Sequence, residues 1–160
     1  MKIGIVSDTH GVLPARVLEL FDGVEAIIHA GDIGSADILI ELEALAPVYA
    51  VYGNVDDFSI RQRCPLWRLE RLGGKKIFIT HILAPITEAG LQHAFEKLGC
   101  RETPDVVVYG HTHELSIETV GGMLVVNPGS ASRPPHNIRP TVAFLTVEGT
   151  EHVDCHAQEL

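Results

Sequence analysis

The chain has 160 residues, of which 46% are hydrophobic and 21% charged, and these proportions are typical of a folded globular protein with a substantial core. The formal charge of −9, with no Lys/Arg cluster, argues against extended nucleic acid as a partner, because nucleic acid requires a basic track. No stretch approaches the roughly 18 apolar residues that a membrane span needs. We therefore expect one domain over residues 1–160, with no membrane partner.

The cysteines and the first residues predict the compartment. Cys64, Cys100 and Cys155 are an odd number without metal-site spacing, which favours reduced thiols. Met1 to Val6 is too short an apolar run for a signal peptide and leads directly into polar residues. These features predict a cytoplasmic protein, and they leave a homo-oligomer open.

The first third of the chain alternates short apolar runs with helical patterns. Strands are predicted at Lys2–Val6, Ala26–His29 and Val48–Tyr52. Helices are predicted at Pro14–Asp22 and from an N-cap at Ser35 to about Leu45, the second with Ile38, Leu42 and Leu45 facing the core. Strand, helix, strand, helix, strand with short links is the pattern of a parallel α/β sheet.

The rest of the chain is richer in strands. Glycine pairs at Gly73-Gly74 and Gly121-Gly122 predict two hairpins. A helix is predicted at Thr87–Gly99, and strands at Leu66–Leu69, Lys75–Thr80, Asp105–Tyr109, Leu115–Val120, Met123–Val126, Thr141–Val147 and Glu151–His156. The whole pattern predicts a mixed α/β domain that begins parallel and ends antiparallel.

Polar side chains of metal-binding type follow five of the predicted strands. They are Asp8, His10, Asp32, Asn54, His81, His111 and His113. Each short motif by itself is weak, but five successive strand ends that supply only Asp, Asn and His are hard to obtain by chance. Because ligands bind outside the carboxyl ends of strands in open α/β sheets, we expect these side chains to converge. A glycine precedes Asp32, Asn54 and His111, where the backbone must turn sharply.

The chemistry of this set points to paired metal ions. Imidazole with carboxylate and amide oxygen suits Mn²⁺, Zn²⁺ or Fe better than Ca²⁺ or a structural zinc. Seven ligands are too many for one open catalytic ion but suit two ions that share a carboxylate. Two dications, two Asp and a bridging hydroxide leave about +1 of charge to meet a phosphodiester anion. The seven residues therefore form the predicted metal and catalytic site.

These residues carry a resemblance to a known family. Asp8-Thr9-His10, Gly31-Asp32, Gly53-Asn54-Val55-Asp56, Thr80-His81 and Gly110-His111-Thr112-His113 resemble the ordered blocks of the calcineurin-like metallophosphoesterases. The short length and the later Asn127-Pro128-Gly129-Ser130 block are similar to the small bacterial and archaeal phosphodiesterase branch. The resemblance implies a four-layer α/β/β/α sandwich of two mixed β-sheets flanked by helices.

The resemblance also implies roles for the site residues. Asp8, His10 and His113 would bind the first metal, and Asn54, His81 and His111 the second, while Asp32 would bridge the two. Two divalent ions per chain are implied, with Mn²⁺ first and Zn²⁺, Fe, Ni²⁺ or Mg²⁺ as alternatives. The implied activity is hydrolysis of a small phosphoester by a metal-activated hydroxide.

Two departures from the family pattern narrow the expectation. Many members have His where this chain has Val55, and valine cannot protonate a leaving group. We therefore expect a phosphodiesterase that depends on its metals and favours good leaving groups. Ile82-Leu83-Ala84-Pro85 follows His81 where members often have glycine and a polar residue, so we expect an apolar wall there.

Alternatives to a diesterase remain open. The same site could serve a phosphomonoesterase or pyrophosphatase. A non-catalytic scaffold with this fold is the second class, since the retromer complex contains such a subunit, although scaffolds of that kind tend to lose ligands. An amidohydrolase also uses His-x-His, but on the first strand of a barrel of roughly 200 residues or more.

The remaining polar residues are assigned smaller roles. Asp56 and Asp57 fit a turn or helix cap better than support of Asn54. Residues Asn127–Ser130 are expected to form a rigid turn that orients the metal ligands.

Several basic side chains have weaker assignments. Phosphate recognition and simple solvation are equally good interpretations of three residues in a Pro-rich loop, Arg133, His136 and Arg139. His29 is interpreted as a strand residue whose ring is hydrogen-bonded, and His93 as a helix-surface residue without a role.

Overall fold

The computed structural model describes residues 1–149 and 152–160. The strands are β1 (Lys2–Val6), β2 (Ala26–His29), β3 (Val48–Ala50), β4 (Trp67–Leu72), β5 (Lys75–Thr80), β6 (Val106–Val108), β7 (Leu115–Val120), β8 (Met123–Pro128), β9 (Thr141–Glu148) and β10 (His152–Glu159). The helices are α1 (Ala15–Phe21), α2 (Ala36–Glu43), α3 (Phe58–Arg63) and α4 (Glu88–Leu98). Thr150 and Glu151, which the sequence predicts in the last turn and strand, lie outside the described residues.

The described strands form two mixed sheets of five strands each. The first has the order β10-β9-β1-β2-β3, in which β1, β2 and β3 are parallel and the other two pairings antiparallel. The second has the order β4-β5-β6-β8-β7, with β5, β6 and β8 parallel between antiparallel outer strands. Both hairpins predicted at glycine pairs are present, as β4-β5 and β7-β8.

Alternation of side chains along the strands builds three apolar layers. Ile3 and Ile5 of β1 point between the two sheets, where they share a buried cluster with Ile77 and Ile79 of β5. Val6 contributes to the opposite face of the first sheet, which α1, α2 and α3 cover. The outer face of the second sheet packs against α4. The predicted four-layer α/β/β/α sandwich is confirmed.

Local signals set the ends of the predicted helices. The Ser35 hydroxyl accepts a hydrogen bond from the Asp37 N–H at 3.3 Å, which caps α2. Gly99 ends α4 in a left-handed conformation, with φ at 78°. Leu45 is wrong as a core residue, because α2 ends at Glu43 and leaves the Leu45 side chain 36% exposed.

One helix was not predicted. The sequence predicts no element between the strands that end at Tyr52 and begin at Leu66, whereas Phe58–Arg63 forms the short helix α3. Asp57 is its N-cap and accepts from the backbone N–H groups of Ser59 and Ile60, so the predicted capping role is correct. The three cysteines are free thiols, and none of the helices in residues 1–149 and 152–160 has the length and apolarity to cross a membrane.

Candidate metal centre

The predicted site residues lie at one edge of the sandwich, where strands of both sheets end. Four of them, Asp8, His10, Asp32 and His113, place one ligand atom each within 4.8 Å of all the others. His10 Nε2 lies 3.1 Å from His113 Nε2, and His113 Nε2 lies 3.2 Å from Asp8 Oδ1. The loops after β1, β2 and β6 therefore bring this group together from distant parts of the chain.

The other three predicted residues form a second group beside the first. His81 Nε2 lies 3.1 Å from Asn54 Oδ1, and the rings of His81 and His111 stand edge to face with their centroids 5.3 Å apart. Asn54 follows β3, His81 follows β5 and His111 follows β6. All seven predicted residues thus lie at the same edge, in two adjacent groups.

Asp32 lies between the two groups and turns one oxygen towards each. Its Oδ1 atom is 3.3 Å from His81 Nε2, and its Oδ2 atom is 3.9 Å from His10 Nε2. The Val55 N–H also donates to Oδ1, at 3.1 Å. A carboxylate in this position can serve both groups at once.

The backbone of the site is held in an uncommon conformation. Positive φ angles at non-glycine residues occur in the described chain at Asn137 and at five site residues, namely Asp8 (54°), His10 (46°), Asp32 (51°), His111 (72°) and His113 (61°). Asp, Asn and His tolerate this left-handed region better than other residues, but each such position costs of order 1 kcal/mol or more. Strain concentrated in this way indicates a site held for its chemistry.

Asp8 has an unusual environment for a carboxylate. Its Oδ2 atom accepts from the Ser7 hydroxyl at 2.6 Å and from the His111 N–H at 3.2 Å. Its Oδ1 atom is buried and has no hydrogen-bond partner among the described residues. Burial raises the pKa of Asp8, although the Ser7 hydrogen bond opposes this effect. A fully buried oxygen in this state has an unmet requirement for a positive partner.

The neighbouring groups are electrostatically coupled to this carboxylate. Burial lowers the pKa of His10, against the opposing effect of Asp32 and Asp8. Burial alone would raise the pKa of Asp32, but hydrogen bonds from His81 and Val55 outweigh burial and leave the pKa lowered. Burial alone would lower the pKa of His81, and its hydrogen bond with Asp32 reverses that, so the His81 pKa is raised.

Backbone carbonyls fix the orientation of two imidazoles. His81 Nδ1 donates to the Ala30 carbonyl at 2.8 Å, and His113 Nδ1 donates to the Arg133 carbonyl at 2.7 Å. With Nδ1 donating, the Nε2 atom of each ring points into the site. In the metal-free protein the raised pKa of His81 favours a proton on Nε2 as well, which donates to Asp32 Oδ1, and a bound metal ion would replace that proton. His113 Nε2 lies 3.2 Å from Asp8 Oδ1 with no hydrogen bond between them, an arrangement expected where a cation completes the site.

The donor set and geometry fit divalent metal ions. Carboxylate, amide oxygen and neutral imidazole are the ligands preferred by Mn²⁺, Zn²⁺ and Fe²⁺, and the two groups suit a pair of ions. The unpartnered Asp8 oxygen and the Nε2 atoms of His81 and His113, which both point into the site, show the fit from this structure alone.

Asp56 supports the site more directly than the sequence predicts. Its buried carboxylate accepts from the Gly34 N–H at 2.8 Å and from the Gly53 N–H at 2.7 Å. It thereby joins the loop that follows Asp32 to the loop that carries Asn54. No periodicity in the sequence marks this role, and the only signal is an Asp in the Gly53–Asp56 turn.

The turn at residues 127–130 supports the site as predicted. Asn127 Nδ2 donates to the Gly110 carbonyl and to Thr112 Oγ1, both at 3.0 Å, which holds the loop between β6 and β7. Ser130 Oγ donates to the Asp8 carbonyl at 2.8 Å. Arg133 contributes its carbonyl to His113, while the Arg139 side chain pairs with Glu159 on the surface.

His29 joins two of the site loops from beneath. The Gly31 N–H donates to His29 Nδ1 at 3.2 Å, and His29 Nε2 lies 2.9 Å from Thr9 Oγ1, which donates to the Ile33 carbonyl. Because the Thr9 proton is committed to Ile33, His29 Nε2 carries the proton in its own bond. Burial lowers the pKa of His29 to about 3, so the ring is neutral. The predicted hydrogen-bonded strand histidine is present.

The α/β sandwich and the side chains that could hold a metal ion at its edge define a class of protein, and comparison with known families identifies it. The model of the calcineurin-like phosphoesterase superfamily domain matches residues 1–150. The chain therefore belongs to the calcineurin-like phosphoesterases.

Individual relatives agree with this assignment. A protein of Methanocaldococcus jannaschii named as a phosphodiesterase is 36% identical over 177 aligned residues, covering 95% of this chain and 96% of the relative. A solved structure described as a novel archaeal phosphodiesterase has a TM-score of 0.74 and 33% identity, and the match covers 99% of this chain and 100% of that one. Vps29 from Entamoeba histolytica, solved with Zn²⁺, matches with a TM-score of 0.78 over 99% of each chain, but at 22% identity it shows the fold alone.

Proposed function

We propose that this protein is a two-metal phosphodiesterase. The observation that carries the proposal is the buried, unpartnered Oδ1 atom of Asp8 in the group it forms with His10, Asp32 and His113. Family membership supports a phosphoesterase, and the named relatives support the choice of diesters. We expect the protein to hydrolyse a small phosphodiester.

The proposed ligand set follows the two groups. Asp8, His10 and His113 would hold one ion, and Asn54, His81 and His111 the other. Asp32 would be shared, which is supported by the position of its two oxygens between His81 and His10. When bound, paired divalent ions would neutralise the phosphate charge and make the attacking water more acidic. Mn²⁺ is the proposed native ion.

The protein's own residues determine orientation and proton supply. Ala30 and Arg133 carbonyls keep the protons of His81 and His113 on Nδ1, so both rings present Nε2 to the site. Val55 occupies the position next to Asn54, and its side chain is 56% exposed at the site edge. Because valine has no proton to donate, the leaving alcohol departs without assistance from this position. Substrates with acidic alcohols are therefore favoured.

Activity of the metal-loaded protein tests the proposal. Protein stripped with a chelator and reloaded with Mn²⁺ should cleave bis(4-nitrophenyl) phosphate faster than 4-nitrophenyl phosphate. Asn54→Ala and His111→Ala should each lose most of this activity together with bound metal, measured by elemental analysis. His152→Ala changes an exposed histidine of β10 and should behave as wild type.

Three results would contradict the proposal. If the reloaded protein cleaves neither ester, it is not a phosphoesterase of this kind. If the monoester is the better substrate, the phosphomonoesterase alternative is correct. If Asn54→Ala and His111→Ala keep full metal content and activity, the ligand set is wrong.

A further inference from the structure

A cavity of about 590 Å³ opens directly beside Asn54 and His81. Its floor and walls come from the segment after β3, the segment after β5 and one face of α4. A second cavity of about 530 Å³ lies on another face of α4, around Cys100, and contains none of the seven site residues. Only the first of these two adjoins the proposed reaction site.

The register of the second sheet places an apolar side chain beside the site. Trp67 of β4 pairs with Thr80 of β5, so Leu66 comes next to His81 as the two strands continue. The segment is fixed on its other side by a hydrogen bond from the Tyr52 N–H to the Pro65 carbonyl at 3.1 Å. Leu66 lines the cavity although its side chain is 46% exposed.

The segment from Ile82 to Ala84 forms the opposite wall. Ile82 is 51% exposed and Leu83 is buried, and both line the cavity. The following Pro85 lies against the first turn of α4 so closely that a Cβ atom at Gly90 would overlap the Pro85 carbonyl. This close packing holds the apolar wall in place before any ligand arrives.

The helix α4 supplies the remaining side of the cavity. Ala94 and Leu98 present apolar groups, while His93 and Lys97 bring polar ones. Among the described residues that line the cavity, none is Asp or Glu, although the chain as a whole carries a formal charge of −9. A lining of this kind accepts an apolar group attached to an anion. It does not suit a cation.

We infer that this cavity is the subsite for an apolar organic group of the substrate that is esterified to the phosphate, of the size of an aryl ring. The inference rests on the proposed function for the position of the phosphate, at Asn54 and His81. The volume of the cavity lies in the range of roughly 300–1,000 Å³ in which proteins bind small organic groups, and its mostly apolar lining with a few polar side chains is characteristic of such sites. The substrate class is then a phosphodiester with a bulky apolar ester group, for which aryl compounds serve as probes.

A first experiment tests the subsite without reference to catalysis. Phenol is titrated into protein with ¹³C-labelled Ala and Leu methyl groups, and the spectra are followed by NMR. The methyl signals of Leu66, Ala94 and Leu98 should shift with saturation in the millimolar range, because a bare ring offers few atoms for contact. The methyl signal of Ala89, which is exposed on α4 outside the cavity, should stay in place.

Matched variants on α4 make this experiment specific. Ala94→Trp fills the cavity and should abolish the phenol-dependent shifts, whereas Ala89→Trp places the same side chain on the same helix outside it and should leave them intact. Leu66→Ser provides a second change at a half-exposed position, where folding is not at risk, and should weaken phenol binding several-fold. Absence of saturable shifts at the cavity methyl groups, or identical behaviour of the two Trp variants, overturns the subsite.

A second experiment connects the subsite to the phosphate position. In Mn²⁺-loaded protein, phenylphosphonate should inhibit hydrolysis of bis(4-nitrophenyl) phosphate at least about tenfold more strongly than methylphosphonate, because burying a ring is favourable. Ala94→Trp should remove this difference, and Ala89→Trp should retain it. Equal inhibition by both phosphonates in an active protein overturns the inferred substrate class. If no diester is cleaved at all, the proposed function fails, while the phenol titration still decides the subsite.

Discussion

The Nε2 atom of His113 lies 3.2 Å from the Oδ1 atom of Asp8, yet no hydrogen bond joins them. His113 Nδ1 donates its proton to the Arg133 carbonyl, so its Nε2 atom faces the buried Asp8 oxygen without a proton to share. Folding of the metal-free protein must overcome this unfavourable arrangement. The same arrangement would be favourable with a cation bound by these residues.

The first prediction follows from the buried charge of Asp8. Asp8→Asn should increase the free energy of unfolding of the metal-free protein by about 1–2 kcal/mol, because it removes an uncompensated charge. Its melting temperature should rise accordingly. Asn also tolerates the positive φ of 54° at this position. The same variant should lose the rise in melting temperature that Mn²⁺ gives the wild type. Thermal unfolding with chelator and with added Mn²⁺ measures both effects.

The pH dependence of stability in the metal-free protein provides a second test of the role of Asp8. Burial raises the pKa of Asp8 above its usual value near 3.8, so the wild type should lose stability as the pH rises through that raised pKa. The Asp8→Asn variant should not show this loss of stability with rising pH. A variant that is less stable than wild type in chelator, and that still gains stability from Mn²⁺, would contradict the proposed role of Asp8.

The second prediction contrasts two neighbouring carboxylates. Asp56→Ala leaves the N–H groups of Gly34 and Gly53 without their partner, and it should lower the free energy of unfolding by about 2–4 kcal/mol. Diesterase activity should also be lost, because Asn54 is displaced. Asp57→Ala removes only the exposed cap of α3 and should cost about 1 kcal/mol with activity kept. Urea denaturation and assays with the aryl diester compare them. Equal effects of the two changes would show that Asp56 is not a link between the site loops.

Much of this architecture follows from local sequence signals. The β-branched runs of β1, β2 and β5, the cap at Ser35 and the stop at Gly99 each suffice to place an element. The seven site residues could be proposed because they all follow strands, and strand ends of an α/β sheet meet at one edge. The convergence of these residues depends on the strand topology, and the alternation of predicted strands and helices is enough to indicate that topology.

Other features depend on contacts that are distant along the chain. Helix α3 has only six residues and one fully buried side chain, Ile60, so it lacks the apolar periodicity that predicts longer helices. Its Arg61 donates to the carbonyls of Asn54 and Asp56, which a single sequence does not signal. His93 was assigned to the helix surface without a role. It is exposed, but it also lines the cavity, because α4 packs beside β5.

A third prediction concerns the close approach of two loops. A Cβ atom at Gly53 would overlap the backbone N and Oδ1 of Asp32, so Gly53→Ala must displace the carboxylate that lies between the two groups. We expect lower stability and loss of the Mn²⁺-induced rise in melting temperature. Gly74→Ala is the control, because a Cβ there meets nothing within 4 Å and only its φ of 87° disfavours alanine. Equal loss of the Mn²⁺ effect in both variants would contradict this account of Gly53.

A fourth prediction tests the role of Val55. Val55→His places a proton donor at an exposed position next to Asn54, where it is tolerated sterically. General acid assistance is typically worth about 10²–10⁴-fold, and it matters most when the leaving alcohol is weakly acidic. We expect kcat for diphenyl phosphate to rise at least about tenfold relative to kcat for bis(4-nitrophenyl) phosphate. A uniform change for both diesters would show that the valine does not limit leaving-group departure.

The last prediction concerns the acid stability of the fold and depends on His29. Its pKa is lowered to about 3 by burial, whereas an unfolded chain titrates near the ordinary value of 6.5. Between these pH values the unfolded state binds one more proton than the folded state. The contribution of His29 to stability is therefore complete above pH 6.5, and it falls by about 1.4 kcal/mol for each pH unit below that value.

A variant isolates this contribution from those of the other groups. His29→Gln can retain a donor towards Thr9 but loses the acceptor for the Gly31 N–H, so at pH 7.5 it should cost about 1–3 kcal/mol. Because glutamine does not titrate, the loss of stability between pH 6.5 and 4.5 should be smaller than in wild type by about 2–3 kcal/mol. Urea denaturation of the metal-free proteins at several pH values measures the difference. Parallel pH profiles of the variant and the wild type would mean that His29 is not the buried neutral group that joins the loops of Thr9 and Gly31.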